Sequence, residues 1–140
     1  GTVSLHHAHE MRAHAAARLP ADIATVVCGA AEPFVQVVYD LDIPSMTSGR
    51  ACLLGDAAFL GRPHAAAGTA KAADDAWALA RALDRNYSVV EALEDYGRSQ
   101  TEVGRGLISR TERIGRRSQV ENSWVPGDPE FVFGLRGPGQ

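Results

Sequence analysis

The stretch from residue 50 to residue 84 constrains the fold of this chain more than any other part of the sequence. Residues 50–55 form a short apolar run of the kind that a fully buried strand gives. Asp56 follows directly, residues 56–66 have the glycine, proline and small residues of a loop, and the alanine-rich residues 67–83 have high helix propensity. A strand, a carboxylate at its end and a helix soon afterwards predict a domain of the α/β class.

Further elements are predicted before this stretch. Residues 5–18 suit a helix, and Pro20 suits the first turn of a second helix that stops at Gly29. The β-branched and aromatic run over residues 34–39 predicts a strand.

A long helix is predicted from residue 88 to about residue 117. Ser88 and Glu91 have the spacing of a capping box, in which each side chain accepts a hydrogen bond from the other residue's backbone N–H. One apolar stripe recurs at steps of three, four or seven: Val89, Leu93, Tyr96, Val103, Leu107 and Ile114. From Ser118 onwards the tail is rich in glycine and proline and should be mostly irregular.

The start of the predicted helix after Asp56 suits a flat, electron-rich ligand. The first turn of a helix exposes N–H groups and a partial positive charge, which stabilise a developing anion. Small residues at positions 65–68 would let a flat ligand approach the backbone closely. Asp56 could accept hydrogen bonds from ligand hydroxyls. Asp74 and Asp75 are interpreted as acids near the helix start, without a catalytic role.

Three groups of residues carry a resemblance to a known family: Gly55-Asp56-Ala57-Ala58-Phe59-Leu60, Pro63 with Gly68, and Asp75-Ala76-Trp77-Ala78-Leu79-Ala80. Together they resemble the second FAD-binding motif of the class A flavin monooxygenases, the family of para-hydroxybenzoate hydroxylase. Residues 62–72 resemble the branch that contains 2,6-dihydroxypyridine hydroxylase. The resemblance implies a C-terminal fragment of an FAD/NAD(P)-binding fold of the para-hydroxybenzoate hydroxylase type, with few strands and long C-terminal helices.

The resemblance also divides the chain into four parts. Residues 1–49 would be the end of the substrate-binding region, and residues 50–84 the second FAD-binding motif. Residues 85–118 would be the long C-terminal helix, and residues 119–140 an irregular tail.

Six residues form the cofactor-binding set that the resemblance implies: Gly55, Asp56, Pro63, Ala66, Ala67 and Gly68. Asp56 would bind the ribityl chain of FAD, and the backbone of the others near the helix start would lie against the isoalloxazine ring. The helix that begins there would stabilise negative charge on the reduced flavin.

Some positions depart from the pattern of the family. Phe59 stands where the family often has histidine, alanines occupy residues 65–67 in place of Gly-Gly-Gln, and Ala70 replaces an asparagine. Our hypothesis for the catalytic residue is His64, which would contact the aromatic substrate or the flavin edge.

The activity implied is hydroxylation of an aromatic or N-heteroaromatic ring with FAD, O2 and either NADH or NADPH. No Gly-x-Gly-x-x-Gly pattern follows a predicted strand, and Gly104-Arg105-Gly106 lies inside the predicted long helix. We therefore expect the chain alone to be inactive and to bind FAD weakly or not at all. Its expected partners are the missing N-terminal FAD domain or a second copy in a homodimer, besides the aromatic substrate.

Other classes of function are disfavoured by charge and composition. A net charge of −3 gives no basic field for nucleic acid, and no apolar stretch approaches the roughly 20 residues of a membrane span. The chain does not open like a signal peptide, and a cytoplasmic location is expected. His6, Glu10 and His14 would share one helix face and could hold zinc, but a solvated helix or an added segment is the favoured interpretation, so no metal site is assigned.

One alternative of a different class remains open at this stage. The chain could be a non-enzymatic helical module whose apolar stripe serves oligomerisation or partner binding.

Overall fold

The computed structural model describes residues 2–85 and 88–136. The chain divides into two compact units, Gly1–Val38 and Tyr39–Gln140. No helix in the described ranges combines the length and the hydropathy that crossing a lipid bilayer requires.

The first unit is a pair of helices, α1 (Leu5–Arg18) and α2 (Ala21–Cys28). Ser4 caps α1 by accepting a hydrogen bond from the His7 N–H at 3.2 Å. The Arg12 guanidinium donates to the carbonyl oxygen of Ala30 at 2.7 Å and ties the end of α2 to α1. Both predicted helices of this region are confirmed.

The strand predicted over residues 34–39 is wrong. The structure shows an isolated bridge between Thr2 and Phe34, and no ladder forms over residues 35–39 in the described part of the chain. The side chains of this run are at least half exposed, and that of Phe34 is 71% exposed. A strand depends on a neighbouring strand for its hydrogen bonds and on a packed face for its apolar side chains.

The second unit contains two short antiparallel pairs of strands, β1 (Leu41–Asp42) with β4 (Phe59–Leu60), and β2 (Thr47–Ser48) with β3 (Ala51–Cys52). Gly49, with φ at +57°, makes the turn between β2 and β3. The prediction of a fully buried strand over residues 50–55 is wrong in extent and burial. The ladder covers two residues, and the side chains that follow, Leu53 and Leu54, are exposed.

Two long helices complete the second unit, α3 (Gly68–Arg85) and α4 (Val89–Gly115), and α4 continues into one π turn over Arg116–Val120. Both predicted helices are confirmed. Ser88 is the N-cap of α4 as predicted, but its hydroxyl makes no capping hydrogen bond, so that part of the capping-box prediction is wrong.

The inner face of α4 packs in one core cluster with Phe59 of β4 through Ala92 and Tyr96. Phe59 is buried beneath the helix at Gly104, where an added Cβ would come within 2.3 Å of the ring. Gly104 thus allows β4 to approach α4 closely. This close packing explains why a glycine stands at this position inside the helix.

Residues 121–136 are irregular and fold back on the end of α4, so the predicted irregular tail is seen in its described part from residue 121, whereas residues 118–120 still belong to the π turn. Arg117 donates to Asp128 at 2.5 Å and to Glu130 at 2.8 Å, and its guanidinium lies 5.1 Å from the centre of the Phe131 ring. Trp124 meets the same ring edge-on at 5.8 Å.

Candidate functional site

Three residues after the end of β3, the chain reaches Gly55, which lies against α3. Gly55 has φ at +58°, and a Cβ there would approach the Ala72 Cβ to 3.2 Å. Both the left-handed backbone and the close approach favour glycine at this position. The 3₁₀ turn Gly55–Ala57 that follows therefore begins in contact with the helix.

A buried ion pair on α3 holds this turn. Lys71 and Asp75 are one helical turn apart, and Lys71 Nζ lies 2.7 Å and 2.5 Å from the two carboxylate oxygens of Asp75. The same Asp75 Oδ2 accepts the Gly55 N–H at 2.7 Å. The Asp75 side chain is fully buried, so its interpretation as an ordinary acid of the first helical turns is wrong.

Tyr96 of α4 holds the same stretch of chain from the other side. Its hydroxyl donates to the carbonyl oxygen of Leu53 at 2.8 Å. Burial raises the pKa of Tyr96 well above its ordinary value, and electrostatic interactions with Asp75 and then Cys52 raise it further. The tyrosine thus stays a hydrogen-bond donor at neutral pH.

Asp56 emerges from the turn into solvent beside the start of α3. A Cβ built on Gly68 would lie 3.9 Å from Asp56 Oδ1, so the carboxylate is next to the first residue of the helix. Both residues are exposed. Of the residues predicted from the sequence, the structure brings Gly55, Asp56 and Gly68 together around this helix start.

The loop before α3 turns through a second 3₁₀ segment, Pro63–Ala65, and then through Ala66 with φ at +50°. The Ala66 N–H donates to the carbonyl oxygen of Pro63 at 2.9 Å, so this amide is used within the loop. The side chains of Ala65 and Ala67 point into the core, whereas Ala66 and Gly68 are exposed. Pro63 is exposed as well, so the open face of the loop includes Pro63, Ala66 and Gly68.

His64 packs on α4 rather than standing free in the loop. A Cβ added to Gly115 would come within 2.6 Å of the His64 ring, so this glycine makes room for the imidazole. His64 Nδ1 is buried and has no hydrogen-bond partner among the described residues. A buried ring nitrogen without a partner is rare in folded proteins.

The tail supports the same loop through its backbone. The Gly134 N–H donates to the carbonyl oxygen of Ala65 at 2.7 Å, and Arg110 of α4 donates to the carbonyl oxygens of Gly134 and Arg136. Burial, and then the charge of Arg113, lower the pKa of Arg110. A cavity of about 700 Å³ lies along this part of α4 and the tail and includes none of the predicted cofactor-binding residues.

The histidines of α1 do not assemble a metal site in the described part of the chain. His6 Nε2 lies 3.5 Å from Glu10 Oε2. No group of three or more His, Cys, Asp or Glu side chains in the described ranges is arranged to hold a metal ion.

Comparison with known proteins gives this geometry a context. No protein-family model matches the sequence. The chain is 41% identical over 110 residues to 2,6-dihydroxypyridine 3-monooxygenase from Paenarthrobacter nicotinovorans, a match that covers 79% of this chain and 28% of the relative. The solved structure of 2,6-dihydroxypyridine-3-hydroxylase from Arthrobacter nicotinovorans superposes with a TM-score of 0.84 at 34% identity, over 99% of this chain and 35% of that one. The chain is similar to the C-terminal part of an FAD-dependent aromatic hydroxylase.

Two further relatives are monooxygenases by name. One is aurachin C monooxygenase/isomerase from Stigmatella aurantiaca, 35% identical over 59% of this chain and 22% of the relative. The other is an FAD-dependent monooxygenase from Stachybotrys chartarum, 33% identical over 62% of this chain and 19% of the relative. The chain thus spans about a third or less of the length of the proteins it matches. The predicted fold, a C-terminal fragment of the hydroxylase fold, is confirmed.

Sequence reasoning missed two residues of this site, Lys71 and Asp75. The spacing of four between a lysine and an aspartate was visible, but such a pair on a helix usually lies in solvent. A further signal was the rarity of the residue, since Lys71 is the single lysine of the sequence.

Proposed function

We propose that this chain is part of a flavoprotein monooxygenase that hydroxylates an aromatic or N-heteroaromatic ring with FAD, NADH or NADPH, and O2. One observation carries the proposal: the exposed Asp56 carboxylate lies beside the bare glycine start of α3. The relatives, which are named as monooxygenases, favour this function over a non-enzymatic helical module.

The residues at this helix start fit the chemistry of FAD. A ribityl chain offers hydroxyl donors, and Asp56 offers an exposed carboxylate to accept them. Gly68 has no Cβ, so the space beside Asp56 Oδ1 is free of protein side chain at that point. The N-terminus of an 18-residue helix faces the same space and favours negative charge.

The chain's own contribution to the reaction would be to bind, orient and polarise. Asp56 would hold the ribityl hydroxyls, and Gly55 would set the direction in which Asp56 projects from the 3₁₀ turn. Pro63, Ala66, Ala67 and Gly68 would present backbone to the flat ring. The start of α3 would stabilise negative charge that develops on the ring during reduction. FAD itself supplies the redox chemistry with O2 once NADH or NADPH has reduced it.

His64 is proposed as the residue of this chain that contacts the substrate or the flavin edge. His64 follows Pro63 directly and so lies in the loop before α3. Its ring packs in the space that Gly115 of α4 leaves open. His64 Nδ1 finds no hydrogen-bond partner among the described residues.

The substrate class follows from the named relatives. Two of the comparisons are with proteins named for 2,6-dihydroxypyridine, so we propose a hydroxylated N-heteroaromatic ring before a carbocyclic one. The complete protein would act in the cytoplasm, with an N-terminal FAD domain and as a monomer or a homodimer.

The test uses the complete enzyme that contains this chain. We expect the purified protein to carry FAD and to oxidise NADH or NADPH in the presence of a hydroxypyridine, with one hydroxyl group added to the product. D56A should raise the FAD dissociation constant roughly 10- to 100-fold, since hydrogen bonds to a charged group are worth about 1.5–3 kcal/mol. D84A is the matched control, because it removes an exposed carboxylate at the far end of α3, and it should leave FAD affinity unchanged.

The proposal fails if the wild-type enzyme binds no FAD. The site assignment alone fails if D56A and D84A bind FAD equally well.

A further inference from the structure

We infer that Asp75 is a positioning residue for the flavin site, and that Lys71 compensates the charge of the buried Asp75 carboxylate. The inference rests on the proposed function, because it assigns both residues to the same site. Neither would touch FAD, since both act through the backbone of Gly55.

The first step is the hydrogen bond between Asp75 and the residue that precedes Asp56. Asp75 Oδ2 accepts the Gly55 N–H at 2.7 Å, and the two groups belong to segments 20 positions apart in the sequence. The bond is fully buried. A side chain of α3 thus determines where the turn that carries Asp56 lies relative to the helix.

The second step is the freedom of the backbone at this point. Gly55 has no side chain and lies in the left-handed region with φ at +58°, so its own sterics restrict the chain little. The Tyr96 hydroxyl fixes Leu53 from the α4 side at 2.8 Å, and Asp75 fixes Gly55 from the α3 side. The direction in which Asp56 projects towards Gly68 is therefore set by these two bonds.

The third step is the role of the lysine. A buried carboxylate is costly unless it is paired and hydrogen-bonded. Lys71 Nζ contacts both oxygens of Asp75 and lies 5.3 Å from the centre of the buried Phe59 ring. Lys71 is the one lysine of the sequence, and the other thirteen basic side chains are arginines. The compact ammonium group of a lysine suits this buried site.

The experiment compares two double variants of the complete enzyme, K71M/D75L and K71M/D75N. Both remove the two buried charges. D75N retains an oxygen that can accept the Gly55 N–H, whereas D75L removes the acceptor and fills the space with apolar groups. Melting temperature and the FAD dissociation constant are measured for both variants and for the wild type.

We expect the two measurements to rank the variants in opposite order. K71M/D75L should melt at or above the temperature of K71M/D75N, because it leaves one buried donor unpaired, the Gly55 N–H, whereas the asparagine variant buries the two hydrogens of its new amide without an acceptor from residue 71. It should nevertheless bind FAD at least tenfold more weakly, because Gly55 is no longer fixed. If Lys71 and Asp75 only stabilised the fold, the variant with the lower melting temperature would also bind FAD more weakly.

Equal FAD affinity of the two double variants overturns the inference and leaves the proposed function standing. A wild-type enzyme without FAD overturns the proposed function and the inference with it. If K71M/D75L does not fold, D75N alone decides: it should melt lower than the wild type yet bind FAD within threefold, and a parallel tenfold loss of affinity overturns the inference.

Discussion

Gly104 and Gly106 lie two residues apart on α4 but have different surroundings. A Cβ at Gly104 would come within 2.3 Å of the Phe59 ring, whereas a Cβ at Gly106 meets nothing within 4 Å. G104A should therefore destabilise the protein by about 1–3 kcal/mol through overpacking. G106A should stabilise it by about 0.5–1 kcal/mol, because alanine has the higher helix propensity.

Denaturant unfolding of both variants in the complete enzyme checks this pair of predictions. Equal stability of G104A and G106A would contradict the close packing of β4 on α4.

Gly115 offers a way to move His64 without changing it. In G115A the new methyl group would overlap the imidazole, whose Cε1 lies 2.6 Å from the added atom. If His64 contacts the substrate as proposed, its displacement should lower kcat/KM by about 10- to 100-fold, since small misplacements near the reacting atoms are costly. FAD affinity should change little. Steady-state kinetics with FAD titration separates the two effects, and unchanged kcat/KM in a G115A enzyme would argue against a role for His64.

The spatial partners of these residues explain which parts of the site the sequence could reveal. Asp56 and Gly68 belong to one contiguous motif, so their proximity followed from the order strand, loop, helix. His64 and Gly115 lie on different elements, and no local pattern links them. The burial of Asp75 depends on Gly55 and Lys71 together, which only the folded chain shows.

The irregular tail is an element whose attachment depends on pH. The Glu130 backbone N–H, at 3.0 Å, and the Arg117 guanidinium lower the pKa of Asp128 below its ordinary value of 3.8. A lowered folded-state pKa means that the stabilisation is fully present above the ordinary value and is lost as the pH falls through the lowered one. Arg117 stays charged throughout, because the same contacts raise its pKa.

We therefore expect the tail to detach from α4 at a pH below the ordinary aspartate range. Trp124, which packs on Phe131 of the tail, reports the change by fluorescence in a W77F background. D128N should remove most of the transition, and D84N should leave it in place. A transition of unchanged size in D128N would show that another group controls the tail.

The contrast between helices and strands shows what local sequence can specify. α1, α2, α3 and α4 were predicted within a few residues, because propensity, periodicity and caps act over one or two turns. The strand over residues 34–39 and the buried strand over residues 50–55 were not observed as predicted. An apolar run forms a strand only where a neighbouring strand pairs with it and another element covers its side chains. The sequence of the run itself does not show whether those partners are present.

At the scale of the whole molecule, the similarity to longer hydroxylases leads to a prediction for the chain itself. The chain spans 28% of the 2,6-dihydroxypyridine 3-monooxygenase sequence, and its own sequence offers no pyrophosphate-binding glycine pattern after a strand. The isolated chain should therefore bind FAD far more weakly than the complete enzyme. Ultrafiltration with absorbance at the flavin band measures both. Tight, coloured binding by the isolated chain would contradict this division of the site.

Lys71 has a practical consequence beyond the cofactor. Because it is the only lysine in these 140 residues, a protease that cleaves after lysine has one target in the chain, and that target is buried in α3. Cleavage there requires the helix to open locally. The rate at which the two fragments appear would therefore report how often α3 opens at Lys71. A ligand bound at the start of α3 would lower that rate.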